Sequence, residues 1–383
     1  IGPDDAAGFA RGLGALCRQL ASTLWRRASR DGRVRALLRF DGVDLFALAR
    51  PQLSLLVLVY LPYLLNDALL AQWNLRRYPR SVILLGGIVF RQMAWAKAGA
   101  EVGVPMVSIH KGGYLGYSLL PMHERYDMAE ADYFVCNGEG AERVLGTSSP
   151  RACWRPGRKR AQPVGLGAAW VERMVRARRP VPPRSGPRSV VYIMSAMLGD
   201  NTYLGHVFQP EIWLQRHQLR LAEFLRNFPD TRFLFKPPLA DRYPQFASCL
   251  GRWVAEHQGG NVGMLEPNEP LGEILYKHDA FILDTPSTPL MDLVASSRPF
   301  FAYLDERFFL MQQEPLEALR HRCPVAVREE EFLPMLGEFL ALDDYSQASP
   351  VDDRFLALFG AREGQGGAAE RTARFLRGLV RPG

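Results

Sequence analysis

Several signatures that would announce a chemistry are missing from this 383-residue chain. No GxGxxG follows a strand-like run, and no GxxxxGK followed by Ser or Thr occurs, so nicotinamide and P-loop chemistries have no support. HExxH is absent. The seven histidines (His110, His123, His206, His217, His257, His278 and His321) form no metal-ligand spacing, so no metal is expected. Cysteine is scarce: Cys17, Cys136, Cys153, Cys249 and Cys323 are scattered, with no CxxC pair. That argues against a zinc ribbon and a disulfide framework, and fits a reducing cytosol. No zinc-finger or RNP-like motif occurs, which removes nucleic acid from the expected partners. The absence of a 20–50-residue repeat argues against a solenoid. No signal peptide is visible, and a chain opening on Ile1 is expected to begin inside a longer one. Long apolar runs are also missing. The longest, Leu53–Leu65, is too short to span a bilayer, contains Pro62 and stops at Asn66-Asp67. It reads as a buried helix, with a membrane-surface contact as the alternative.

What is present is globular: 48% hydrophobic residues, enough chain for two cores, and a net charge of +7. The charge is uneven. Between Arg151 and Ser189 stand eleven Lys or Arg and one acid, Glu172, so this segment exceeds the whole net charge. It reads either as a solvated linker or as a patch for an anionic acceptor or membrane, centred on Arg151–Arg188.

Residues 1–80 look helical. Phe9, Leu13, Leu16, Leu20 and Leu24 recur at helical spacing over Ala7–Ala28, and Phe40–Asp44 is a turn opening a further helix capped by Asp41 or Asp44. From Ser81, strand and helix alternate. Strands are expected at Val82–Leu85, Met106–Ile109, Tyr133–Cys136 and Gln162–Val164, with helices at Phe90–Val102, Arg125–Glu130 and Glu139–Leu145. Arg178–Ser189, rich in Pro and Arg, is a linker. A second alternating run follows, with strands at Val190–Met194, Arg232–Phe235, Asn261–Leu265, Ala280–Leu283 and Phe300–Leu304. Helices are expected at Ile212–Asn227, Tyr243–His257, Pro270–Tyr276, Phe332–Ala341 and Ala368–Val380. Such alternation means parallel sheets covered on both faces.

The most informative stretch is Asp279–Asp305, a strand–loop–helix–strand unit. Ser287 or Thr288 can cap its helix and Pro289 fits the first turn. The helix N-terminus then sits at a strand's carboxyl end beside two hydroxyls, an anion site by geometry; plain capping is the alternative. Four loops that follow strands gather candidates: Ser195–His206, Lys236-Pro237-Pro238, Glu266–Glu269 and Asp284–Thr288. One cation, several hydroxyls and a helix N-terminus suit a diphosphate or a nucleotide monophosphate. His110 ends a strand and reads as a base or donor ligand, or as a turn cap. Glu139 reads as a cleft acid or an ordinary first-turn acid, and Asp292 as a ligand-binding or first-turn acid. Asp200 and Asn201 read as surface, and Phe300-Phe301 and Phe308-Phe309-Leu310 as core.

These motifs, in order, resemble a known family. Phe235-Lys236-Pro237-Pro238, then Asp284, Ser287, Thr288 and Asp292, resemble the donor domain of GT-B glycosyltransferases of bacterial surface-polysaccharide biosynthesis. They are also similar to the CDP-glycerol glycerophosphotransferase group and to Kdo and sialyl-type capsule transferases. Ile109-His110-Lys111-Gly112-Gly113, Ala131-Asp132 through Gly138-Glu139, and Val164-Gly165 match the first domain of such enzymes. The likeness covers roughly residues 81–305. Two positions depart: Pro238 stands where the family has His, and Asp292 is shorter than the family's Glu.

The resemblance implies an α/β, GT-B-like fold of two Rossmann-like domains facing a cleft. A helical region 1–80 would pack on an acceptor domain 81–177, followed by a linker 178–189 and a donor domain 190–367. A C-terminal helix 368–383 would cross back to the first domain. It implies metal-independent, cofactor-free transfer from a nucleotide sugar, first choice a CMP-linked acidic sugar such as Kdo, to a glycan or lipid-linked glycan acceptor in the cytoplasm. His110 and Glu139 would be catalytic, with Ser195, Lys236, Asp284, Ser287, Thr288 and Asp292 holding the donor. Transfer of a polyol phosphate from a CDP-alcohol, and a non-catalytic binding module, are the alternatives.

Overall fold

The computed structural model describes residues 3–78, 81–85, 90–110, 116–117, 128, 131–147, 161–180, 186–195, 210–238, 249–257, 259–361 and 366–380. The expected glycine turns at 86–87 and 111–113, most of the 125–130 helix and of the 195–206 loop, residues 151–160 and 181–185, and the start of the 243–257 helix lie outside them.

The N-terminal region is a pair of long helices. α1 (Pro3–Ala28) is followed by α2 (Gly32–Leu37) and a two-stranded hairpin, β1 (Arg39–Phe40) and β2 (Val43–Asp44). Asp41 and Gly42 both take positive φ, the turn an Asp-Gly pair favours between antiparallel strands. The expected turn at Phe40–Asp44 is thus a small hairpin. Asp44 caps the next helix by accepting from the Ala47 N–H at 3.1 Å. That helix is continuous over Leu45–Arg77: α3 (Leu45–Leu55), a π segment Leu56–Tyr60, and α4 (Leu61–Arg77). Pro51 and Pro62 do not break it.

Two parallel sheets follow. The first runs β3 (Ile83–Leu85), β4 (Met106–Ile109), β5 (Tyr133–Cys136), β6 (Gln162–Gly165), in chain order. Its helices are α5 (Phe90–Val102), α6 (Glu139–Thr147) and α7 (Ala169–Arg176). The last lies inside the basic segment, where no helix was expected.

The second sheet contains β7 (Arg188–Ile193), β8 (Thr231–Lys236), β9 (Val262–Met264), β10 (Ala280–Leu283), β11 (Phe300–Tyr303) and β12 (Val325–Ala326). Their spatial order is β12-β11-β10-β7-β8-β9, all parallel. Chain order therefore reverses between β7 and β10, the topological switch point of a doubly wound sheet. The flanking helices are α8 (Glu211–Leu225), α9 (Cys249–Glu256), α10 (Leu271–Ile274), α11 (Thr288–Ala295), α12 (Gln313–Arg320) and α13 (Glu329–Ala341). β10 and β11 are buried at every position, as strands covered on both faces must be.

The last helices return to the first sheet. α14 (Arg354–Phe359) packs against α6 so closely that a Cβ on Gly140 would stand 2.8 Å from the Leu358 carbonyl oxygen; Gly138 is tighter still. Glycine is required there because backbone meets backbone. α15 (Ala368–Leu379) lays Phe375, Leu376 and Leu379 against Val107, Val135 and Leu166. Its Arg371 pairs with Glu172 at 2.5 Å and donates to the Leu166 carbonyl at 3.0 Å.

One expectation fails. Leu53–Leu65 is not a buried helix: it belongs to the 33-residue stretch Leu45–Arg77, whose most apolar window is only 11% buried. Only the second half enters the core, through Ala71 and Leu75 beside Ile83 and Leu85.

Candidate functional site at the carboxyl edge of the second sheet

Strand register brings the candidate residues together. Ile193 pairs with Leu283 on one side and with Lys236 on the other, so β10, β7 and β8 end at one level. Asp284, Ser195 and Lys236 follow or close these three strands. All three are buried.

Asp284 is the centre of the cluster. Ser195 Oγ donates to its Oδ1 at 2.7 Å and Thr285 Oγ1 to the same oxygen at 3.1 Å, while the Tyr192 hydroxyl donates to Oδ2. Ser195 and Thr285 also touch each other. Burial pushes the Asp284 carboxyl above its usual range, against the pull of Ser195, Tyr192 and Thr285. Burial, and then the Asp284 charge, push the Tyr192 hydroxyl well up, so it stays a donor. The hydroxyl protons here point at a carboxylate. What Ser195 and Thr285 can offer a ligand is lone pairs, which suits a sugar hydroxyl better than a phosphate.

The candidate donors to a phosphate are the start of α11 and Lys236. Ser287 occupies the N-cap position of α11 with extended backbone, but its side chain makes no capping bond. The expected Ser287 or Thr288 cap is therefore absent; Pro289 carries no N–H and the Leu290 N–H donates to the Ser287 carbonyl at 2.9 Å, so the donor this helix end can offer is the Thr288 N–H. Lys236 Nζ donates to the Pro237 carbonyl at 2.6 Å and the Pro267 carbonyl at 2.8 Å. Burial lowers its pKa, with Glu269 opposing. The cation is held in place by backbone.

Asp292 stands in the second turn of α11, not the first as expected from sequence, where its acid would have been explained by the helix dipole. It is partly buried, and desolvation raises its carboxyl to about 7.

The first sheet contributes a separate edge. His110 follows β4, is buried, donates its backbone N–H to Val135 at 2.8 Å and leans on Phe134. Asn137, also buried, follows β5. Glu139 opens α6 and is exposed, the position of a first-turn acid. Of the basic segment, Arg178 bridges to Asp353 at 2.6 Å and to the Val294 and Ala295 carbonyls, and Arg188 binds the Leu342 carbonyl and Asp343. These two arginines tie the linker down. Of the residues expected in the core, Phe300, Phe301 and Phe309 are buried, Phe308 is partly buried and Leu310 is half exposed.

Three residues escaped sequence reasoning. Tyr192 sits inside an apolar strand and reads as core. Thr285 lay in the hydroxyl-rich turn but was not singled out. Tyr117, from the first domain, donates to the Pro286 carbonyl at 3.1 Å and packs on Phe355 and Phe359. It docks the Asp284–Thr288 loop against the other domain, and no sequence signal marks it.

Two parallel α/β units, a reversal at β7/β10 and helices that return to the first sheet define the architecture. The fold is GT-B. No family model matches the chain, and no curated protein does. Solved structures with the GT-B fold do match. The Staphylococcus aureus MnaA–UDP structure is 11% identical, covers 83% of this chain and 80% of its own, and has a TM-score of 0.51. Neisseria meningitidis UDP-GlcNAc 2-epimerase bound to UDP-GlcNAc is 12% identical over 82% and 81%, with a TM-score of 0.49. Anabaena HepE in complex with UDP and glucose is 11% identical over 96% and 93%, with a TM-score of 0.42. At such identities the likeness is one of fold. Among the described residues, no group of His, Cys, Asp or Glu is placed to hold a metal ion.

Proposed function

We propose that the protein transfers a sugar from a nucleotide donor held by its second domain. The observation that carries this reading is the convergence of Ser195, Asp284, Thr285, Lys236 and the α11 N-terminus at the β7/β10 switch point. Ser195 and Thr285, with their protons committed to Asp284, would accept from donor hydroxyls. The remaining N–H of Lys236 and the Thr288 N–H that opens α11 would take the donor phosphate. As the sugar leaves, charge grows on the nucleotide, and both groups face that charge without rearranging. His110, at the edge of the first sheet, would take the proton of the acceptor hydroxyl.

The finer assignment is a CMP-linked acidic sugar passed to a bacterial surface glycan in the cytoplasm. It rests on the motif resemblance; the unbonded Cys17, Cys136, Cys249 and Cys323 suit a reducing compartment. UDP is the competing nucleotide, because MnaA, HepE and the epimerase were solved with UDP or UDP-GlcNAc. Thermal shift with CMP, CDP, UDP and GDP tests the reading. A ligand at a hundred times its Kd stabilises by about 2.7 kcal/mol. A shift with CMP alone supports the acidic-sugar donor, a shift with CDP alone points to polyol-phosphate transfer, a shift with UDP replaces the base, and no shift with any of the four removes the nucleotide site.

A further inference from the structure

The N-terminal helix pair ends in an apolar tip that none of the described residues covers. α1 and the Leu45–Arg77 helix run antiparallel: Gly14 lies beside Asn66, and Trp25 stacks on Phe46 at 6.0 Å. At 1.5 Å per residue, the tip stands roughly 30 Å beyond Asp67, which is buried at the base. There Leu37 is 86% exposed, Phe40 73% and Leu48 68%, with Val43 and Leu45 alongside. Below the tip, Leu55, Val59 and Tyr63 continue an exposed apolar face. So large an unpartnered patch marks a contact surface.

The surrounding charge selects the partner. Residues 11–50 hold nine arginines and three acids, Asp31, Asp41 and Asp44; Asp31 pairs with Arg33 at 2.9 Å and Asp44 caps α3, so the surroundings of the tip remain strongly basic. Arg26, Arg27 and Arg30 line an open cleft beside the tip. A second copy of the chain would bring two such arginine clusters together, and like charges oppose that. A bilayer with anionic headgroups satisfies both features: arginines at the phosphates, and leucine and phenylalanine at the acyl boundary. Tyr60 and Tyr63 suit the same interface. Spanning is disfavoured although Leu45–Arg77 is long and apolar enough, because its partner α1 carries Arg11, Arg18, Arg26 and Arg27 along its length, and its own second half belongs to the domain core.

We propose that residues 30–48, the tip of this hairpin, are a monotopic docking surface for an anionic lipid bilayer. It does not depend on the nucleotide assignment. It lies outside Arg151–Arg188, where Arg178 and Arg188 serve as internal ties.

The test is co-sedimentation of the full chain with vesicles of phosphatidylcholine alone and with phosphatidylglycerol added. Binding is expected only to the anionic vesicles and should weaken with salt. Arg27→Gln, Arg30→Gln and Arg39→Gln together should lower affinity roughly a hundredfold, at about fivefold per arginine. Leu37→Glu with Phe40→Glu should abolish binding; both side chains are so exposed that the melting temperature should not move. In Leu37→Trp, tryptophan emission should be quenched by brominated lipid. Absence of binding by the parent at low salt, unchanged binding in either multiple variant, or a concentration-dependent dimer that the Leu37→Glu, Phe40→Glu variant abolishes, would each overturn the proposal.

Discussion

The two sheets differ at their carboxyl edges. In the second, the order reverses between β7 and β10; Ser195 and Asp284 join in one hydrogen-bonded cluster, and Lys236 closes the neighbouring strand at the same level. In the first, β3 to β6 follow chain order among the described strands, and the edge carries His110 and Asn137 as buried but separately placed groups. A reversal sends the connections on either side to opposite faces and opens a crevice at the strand ends. The described strands of the first sheet show no such reversal. The second edge therefore has the topology at which sheets of this kind bind ligands, and the first carries His110 at its rim.

That contrast breaks first at His110. Replacing it by Ala should lower turnover by about 10²–10⁴-fold, the range for a lost general base, and leave nucleotide affinity unchanged. Steady-state kinetics and calorimetric titration measured together decide it; a matching loss of nucleotide affinity would move His110 to the donor site.

The next largest effect tests how far the first domain relies on chain from the end. Removing residues after Gly367 uncovers the apolar face formed by Val107, Val135 and Leu166 and deletes the Arg371–Glu172 pair. Three partly buried apolar side chains make the expected loss about 3–5 kcal/mol. It should appear in a thermal melt as early unfolding of the first domain while the second keeps its transition. A single transition, shifted by less than about 2 °C, would mean that α15 contributes little.

Asp292 sharpens the donor edge. Its folded pKa of about 7 lies above the unfolded value of 3.8, so the carboxyl favours folding when protonated. Stability should therefore fall as pH rises from about 4 to 7 and level off above. Asp292→Asn should flatten that slope and stabilise the protein at pH 8 by on the order of 2–4 kcal/mol. Urea titrations at pH 5 and pH 8 suffice, and an equal slope in both proteins would show that another group titrates.

The smallest effect compares the two edges directly. Lys236→Ala should weaken nucleotide binding by about 1.5–3 kcal/mol, while Glu139→Gln, at an exposed first-turn position, should change it by less than about 0.5. The reverse ranking would assign the nucleotide to the first domain.

The sequence by itself determined most of the elements. Alternating apolar runs and polar turns locate the parallel strands to within two residues, except β12 (Val325–Ala326), too short to stand out, because a strand covered on both faces has to be apolar throughout, as in Ala280–Leu283 and Phe300–Tyr303. The residues that close strands, Lys236 and Asp284, were legible for the same reason: a charge at the end of an apolar run stands out. Tertiary structure alone decided which strands are neighbours. Nothing in Val190–Ile193 or Ala280–Leu283 says that they pair, yet that pairing creates the switch point and joins Ser195 and Tyr192 to Asp284. It also decided the fate of Leu53–Leu65. Hydrophobicity measures the cost of exposure to water but not what covers the side chain, and here the fold leaves that helix face uncovered. The same limit hid Tyr117 and Gly138: their roles are contacts with Pro286 and Leu358, well over a hundred residues away in the chain, and no local pattern records a partner at that distance.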